Sequence, residues 1–179
     1  MRRSLALFAG LASLSACGAP HPPADGGDGG DGGEACVAAP VDLPDPANRD
    51  ENCDGIDGDA RRAVFVAPDG SDTAPGTREA PLATLGAALL AADRTGATQV
   101  LVAAGSYTET RSIALLDGIG IYGGYERAAR WTRGARATDV NVPAYGVEAR
   151  GLRGHTEVMR VRFVAADASS PAGSSIALR

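Results

Sequence analysis

The chain of 179 residues contains no lysine, one tryptophan and two histidines. The missing lysine carries no functional conclusion, because arginine supplies every basic side chain. The scarcity of histidine says more. His21 lies in a Gly/Pro/Asp stretch with no second ligand of fixed geometry near it, so it reads as a solvated tail residue. A Ser/His/Asp arrangement would have to use His155, which stands in the turn-like segment GLRGHTE with no Gly-x-Ser-x-Gly elbow beside it. The three cysteines, Cys17, Cys36 and Cys53, form no Cys-x-x-Cys pair, which argues against a zinc cluster. Beyond Cys17 there is no apolar run long enough to cross a bilayer.

What is present divides the chain by composition. Arg2 and Arg3 precede the apolar run LALFAGLASL, and Ser15 and Ala16 lead into Cys17. This is the pattern of an export signal, too short to serve as a membrane span. Leu14-Ser15-Ala16-Cys17 also resembles the lipobox of bacterial lipoproteins. That resemblance implies removal of residues 1–16 and lipidation of Cys17 as the new N-terminus. Gly18 replaces the Asp that gives inner-membrane retention in that family, so the outer membrane is the implied address. The alternative is an ordinary secretory signal with an incidental cysteine. Acyl anchoring needs no membrane-spanning helix, since each buried methylene contributes about 0.8 kcal/mol. Residues 17–35, rich in Gly, Asp and Pro, cannot bury enough apolar surface to offset chain entropy and are expected to be a flexible tether.

Charge follows the same partition. Residues 17–60 hold eleven acids against Arg49 alone, whereas residues 61–179 hold fourteen arginines against eleven acids. The overall charge of −5 therefore belongs to the N-terminal part, and the body is mildly basic. Residues 36–61 form a Cys/Asp-rich arm. In an exported chain Cys36 and Cys53 are expected to form a disulfide, which for a loop of this size stabilises by about 3 kcal/mol. Two free thiols serving a metal are the weaker reading, with no histidine close by. Asp50, Asn52, Asp54, Asp57 and Asp59 place oxygen ligands near Gly55, the pattern a hard cation such as calcium requires. Arg61 stands where a calcium loop would carry its bidentate glutamate, and no helices are expected on either side. The segment ENCDGIDGD is similar to Cys-Asp-Gly-x-Asp elements of a metal-binding motif in secreted bacterial proteins. Asp and Asn turns closed by side chain to backbone hydrogen bonds explain the same residues without metal.

From residue 62 onward the pattern is strand-like. AVFVA at 63–67 reads as a short buried strand, followed by the turn-rich PDGSDTAPGT. Asp69 and Asp72 there are expected in Asx turns. Thr84 is a candidate N-cap for a helix running to Arg94 and ended by Gly96, with Leu85, Ala88, Leu89 and Ala92 on one apolar stripe. Covering the open first strand of a coil would suit this helix. Further strands are expected at 100–103, 113–115, 119–122, 140–142, 147–149 and 158–164, with a last one starting at Ser175. One helix among so many strands argues against a doubly wound α/β fold.

The order G-T-x-x-x-P-x-x-T-x-x-x-A (76–88), V-x-x-G-x-Y-x-E (102–109) and L-x-D-G-x-x-I-Y-G-G-Y (115–125), with Trp131 and Arg133, resembles the N-terminal part of right-handed parallel β-helix proteins of the pectin-lyase-like superfamily. The likeness covers about 63–179. It implies a mainly β fold, the start of a right-handed parallel β-helix or solenoid with one N-terminal capping helix over 62–179. The chain closes on SSIALR without a polar cap, so a C-terminal truncation is expected. Enzymes of that superfamily carry catalytic residues on later rungs, and none transfers to a position of this sequence.

Two further motifs stand out. Gly118, Gly120 and Gly123 spell Gly-x-Gly-x-x-Gly, yet no helix is expected after them, so turn glycines account for them better than nucleotide binding. Arg127, Arg130, Arg133 and Arg136, interleaved with Tyr125 and Trp131, are a candidate surface for an acidic polysaccharide. The competing reading buries Trp131 as an anchor. Nucleic acid is not expected as a partner of an exported chain. Function reduces to two expectations. One is a membrane-anchored, non-enzymatic envelope lipoprotein that binds glycan or calcium. The other is a polysaccharide lyase or pectin esterase-like enzyme whose site lies on missing rungs.

Overall fold

The computed structural model describes residues 36–166. The calls on Cys17, on the tether and on a strand starting at Ser175 fall outside the described residues. The described chain is mainly sheet, with one α-helix and short strands that pair in parallel except at one hairpin-like contact. It belongs to one compact unit that includes the Cys/Asp-rich arm.

Strand β1 (Ala63–Val66) leads through a turn-rich loop into helix α1 (Leu85–Thr95). Three strands follow: β2 (Gln99–Ala103), β3 (Gly105–Thr108) and β4 (Ile113–Leu115). The next pass runs through β5 (Gly120–Glu126), the two-residue β6 (Thr132–Arg133), β7 (Thr138–Val142) and β8 (Val147–Ala149). A third begins with β9 (Val158–Met159) and β10 (Val161–Ala165). Parallel pairing joins β1, β2, β5 and β9 in one sheet, β3, β7 and β10 in a second, and β4 with β8 in a third. Successive passes thus visit the small sheets in the same order.

The first sheet is buried on both faces, which explains its near-continuous apolar strands, AVFV and QVLVA. Because side chains alternate along a strand, Val64, Val66, Val100, Val102 and Ile121 face one core, built from aliphatics. Phe65, Leu101, Tyr122, Tyr125 and Trp131 face another, together with Ile56 of the arm. The register supports this assignment, pairing Val64 with Val100 and Val100 with Ile121. It then slips, so that Leu101 pairs with Tyr122 but Ala103 with Tyr125. The extra residue is accommodated at Gly123 and Gly124. Gly124 sits at φ +85, and a Cβ on Gly123 would collide with the carbonyl of Arg160. This β-bulge turns Tyr125 back to the outer face.

Helix α1 follows its expected limits. Thr84 Oγ1 accepts the Ala87 amide at 3.2 Å, and Gly96 ends the helix in the left-handed conformation. Leu85, Ala88, Leu89 and Ala92 are buried with Ala91 against the aliphatic core. The free edge of β1 is covered by another segment: the Phe65 amide donates to Gly76, Leu82 donates to Phe65, and Ala67 donates to Leu82. The loop therefore seals the edge, while α1 closes the side of the core. Two departures from the expected strands have local causes. β3 and β6 carry too few apolar residues to be read as strands. Arg160, at φ 56, breaks the expected 158–164 strand into β9 and β10.

Candidate functional site

The arm is a built part of the body, and its contacts begin with the disulfide. Cys36 and Cys53 are bonded, with Cα atoms 6.0 Å apart. Asp57 lies 3 % exposed and its Oδ2 receives Arg133 Nη1 at 2.7 Å, in an ion pair whose side chains are almost wholly out of water. Its other oxygen accepts the Asp45 amide at 2.9 Å. Tyr125 donates its hydroxyl to the Asp57 carbonyl at 2.6 Å, the contact for which the bulge re-aims this ring. Gln99, 1 % exposed, donates to the Asp42 carbonyl at 2.7 Å and accepts the Asp59 amide at 3.0 Å. Arg133 also donates to the carbonyls of Gly123 and Asp45, and its guanidinium lies 5.3 Å from the Tyr125 ring centroid.

Burial dominates the electrostatics of this junction. Desolvation pushes the Asp57 carboxyl above the ordinary Asp value despite Arg133, and pushes Asp42 up despite the Glu51, Gly58 and Asn52 amides. It also raises Tyr125, and it pushes Tyr122 up to about 12. Asp42 Oδ1 and Arg133 Nη2 are buried without a hydrogen-bond partner. Elsewhere, burial raises Glu109, whose carboxylate accepts the Leu85 and Gly86 amides at 2.6 and 3.4 Å. Tyr107 donates to the Ala103 carbonyl at 2.7 Å. Both motif residues of 102–109 are therefore placed as structural braces.

The five residues expected to hold calcium are brought near one another along the turn but serve other partners. Asp50 accepts the Asp54 and Gly55 amides at 3.1 and 2.7 Å, and Asn52 accepts Asp54 at 2.9 Å. Asp54 accepts Ile56 and Ala60, Asp59 caps Arg61, and Asp57 faces Arg133. Calcium needs about six to eight oxygens converging on one point. Among the described residues, no group of three or more His, Cys, Asp or Glu side chains could hold a metal ion. In this arrangement the side-chain oxygens cap backbone amides, as an Asx turn does.

The expected basic and aromatic surface is also rearranged. Trp131 is 2 % exposed, stacked edge-on against Phe65 at 4.8 Å, with Nε1 donating to the Arg78 carbonyl at 3.1 Å. Arg133 is buried by the pair with Asp57. Neither offers a face to a sugar, which corrects their assignment as ligand contacts. Arg127 pairs with Asp69 and donates to the Glu79 carbonyl. Arg130 is exposed in the left-handed region. Of the three Gly-x-Gly-x-x-Gly glycines, Gly118 alone sits at a turn, with φ +75; Gly120 and Gly123 lie inside β5, which corrects their reading as corners between strands. His155 is exposed and 3.5 Å from Glu157.

A groove of about 950 Å³ opens where the loop after β6 meets the β9–β10 corner. Arg133, Arg136, Arg160 and Arg162 line it, and Asn48 of the arm contributes to its wall. Arg160 and Arg162 were not singled out from the sequence, although their alternation with Val161 and Phe163 in MRVRF marks an outward-facing edge. Among the described residues no helix is long and apolar enough to cross a membrane. Comparison with family models, curated proteins and solved structures finds no match to this chain.

Proposed function

We propose that the chain is a lipid-anchored envelope protein that binds its partner non-enzymatically through a parallel β-helix scaffold. The observation that carries this reading is the order of the passes, in which β2, β3 and β4 are followed by β5, β7 and β8 on the same three sheets. Such stacking builds a side surface rather than a pocket at one strand end. The use of the shifted groups supports a binding role. Asp42, Asp57, Glu109, Tyr107 and Tyr125 each hold a structural contact, a use of shifted groups that suits a scaffold. Anchoring at Cys17 follows from the signal pattern.

The test is expression of the full chain in a bacterium fed labelled palmitate. Label on the wild type, with the protein in the outer-membrane fraction, and loss of both in Cys17→Ser, is the expected result. Equal fractionation of the two overturns the anchor. Incubation with polygalacturonate or alginate tests the second half, because release of shortened or unsaturated products would replace binding with lyase or esterase chemistry.

A further inference from the structure

We infer that the groove between the loop after β6 and the β9–β10 corner binds an oxyanion-bearing glycan through Arg136 and Arg160. Four arginines line it and, among the described residues, no Asp or Glu does, the Arg133 side chain itself lying out of water. Two of the four are already neutralised: Arg133 by Asp57, and Arg162 by Asp139 through two bonds of 2.8 and 2.7 Å. The other two are not. Arg160 donates to the carbonyls of Gly134 and Pro46, both at 3.2 Å. Carbonyls fix the side chain across the groove without cancelling its charge. Arg136 is exposed and has no hydrogen bond or ion pair among the described residues.

The neighbouring acids reduce this charge without cancelling it. Asp69 and Glu126 line an adjacent groove of about 540 Å³ that shares Arg136; Asp69 is paired there with Arg127, and the Glu126 carboxylate packs against Gly134. Two uncompensated arginines on one concave surface attract an anion, and a guanidinium fork matches carboxylate or phosphate. The site is also held in shape. Arg160 keeps a left-handed backbone, φ 56, that residues with a Cβ seldom adopt. Its bond to Pro46, and that of Arg133 to Asp45, tie the arm to the body around the opening. Ala135 and Ala137 add little bulk to the lining.

The glycan class rests on the proposed envelope location, where anionic sugar polymers are within reach. The experiment titrates the full chain, in detergent micelles, with oligogalacturonate, with a phosphorylated mannan oligosaccharide and with neutral dextran. Binding of either anionic probe but not of dextran is expected, and which one binds identifies carboxylate or phosphate as the recognised group. Arg136→Ala should weaken binding about tenfold or more, as loss of one charge-assisted contact would, and Arg136→Glu should abolish it. Added salt should weaken the wild-type complex more than the Arg136→Ala complex. Arg111→Ala, outside the groove, should bind as the wild type does. Arg136 makes no contact that folding needs, so its variants should keep the wild-type melting temperature. The inference is overturned if no probe binds, if dextran binds equally well, or if Arg136→Glu retains full affinity. Binding with failed palmitate labelling would remove the location and keep the site; labelling without binding would do the reverse.

Discussion

The two faces of the β1-β2-β5 sheet are held by different physics. Val64, Val66, Val100, Val102 and Ile121 meet α1 and the strands of the other sheets through shape and volume alone. On the opposite face, Tyr125, Gln99 and Arg133 receive the arm through directed bonds to Asp42, Asp45, Asp57 and Asp59. Aliphatic contact is non-directional and tolerates small shifts. A buried ion pair has one good geometry, so the outer face sets the position of the arm where the inner face only excludes water.

Breaking the directed side should cost most. Asp57→Asn leaves Arg133 charged and buried, and we expect a loss of about 3–5 kcal/mol in urea unfolding, the range for one half of a buried pair. Combining it with Arg133→Met should recover much of that loss; no recovery would mean that the ion pair is more than a paired burial. Next, replacing Cys36 and Cys53 by Ser should cost about 3 kcal/mol in the chain-entropy model. Trp131, buried on this face, reports the outcome through its fluorescence. On the inner face, Ile121→Val should cost about 0.5–1.5 kcal/mol and leave Trp131 emission unchanged. A red shift in that variant would show that the two faces are not independent.

Acidity sharpens the same contrast. Burial raises Asp42 at the arm and Glu109 at the helix. Their folded forms bind protons more tightly than the unfolded chain does. Stability should therefore rise as pH falls from neutral through these raised values, the gain being complete near the ordinary 3.8 of Asp and 4.5 of Glu. Asp117, held low by the Gly154 and Arg153 amides, and Asp139, held low by Arg162, act in the opposite sense. Their stabilisation is present above 3.8 and is lost as pH falls below it. A urea midpoint that peaks on the acid side of neutrality is the expected profile; a steady decline from neutrality would contradict the burial of these two carboxyls. The smallest effect is expected from calcium, since the Asp50 to Asp59 side chains cap amides. Melting in millimolar calcium and in chelator should coincide.

Much of the fold was legible because its signals are local. Thr84 and Gly96 bound the helix by capping chemistry, and the Val-rich runs at 63–67 and 100–103 mark buried strands. β3 was not legible, because Gly105, Ser106 and Thr108 surround a single buried Tyr107. The site was less legible still. The arginines between 127 and 136 look alike in the sequence. One is buried against Asp57, one is paired with Asp69 and Arg136 is free, and only the distant partner decides which. Arg160 joins them across the sheet order rather than along the chain.

By itself the sequence determined strand and helix periods, the caps and turns, the charge contrast between arm and body, and a cysteine pair suited to a bridge. These depend on neighbours a few residues away. Only the tertiary structure decided that the arm is a wall of the body, that the Gly123–Gly124 bulge aims Tyr125 at it, and that Trp131 is an anchor. Asp57 and Arg133 are separated by 76 positions and meet at 2.7 Å. No local propensity encodes such a meeting, because it exists only once parallel strands have stacked and water has been expelled from between them.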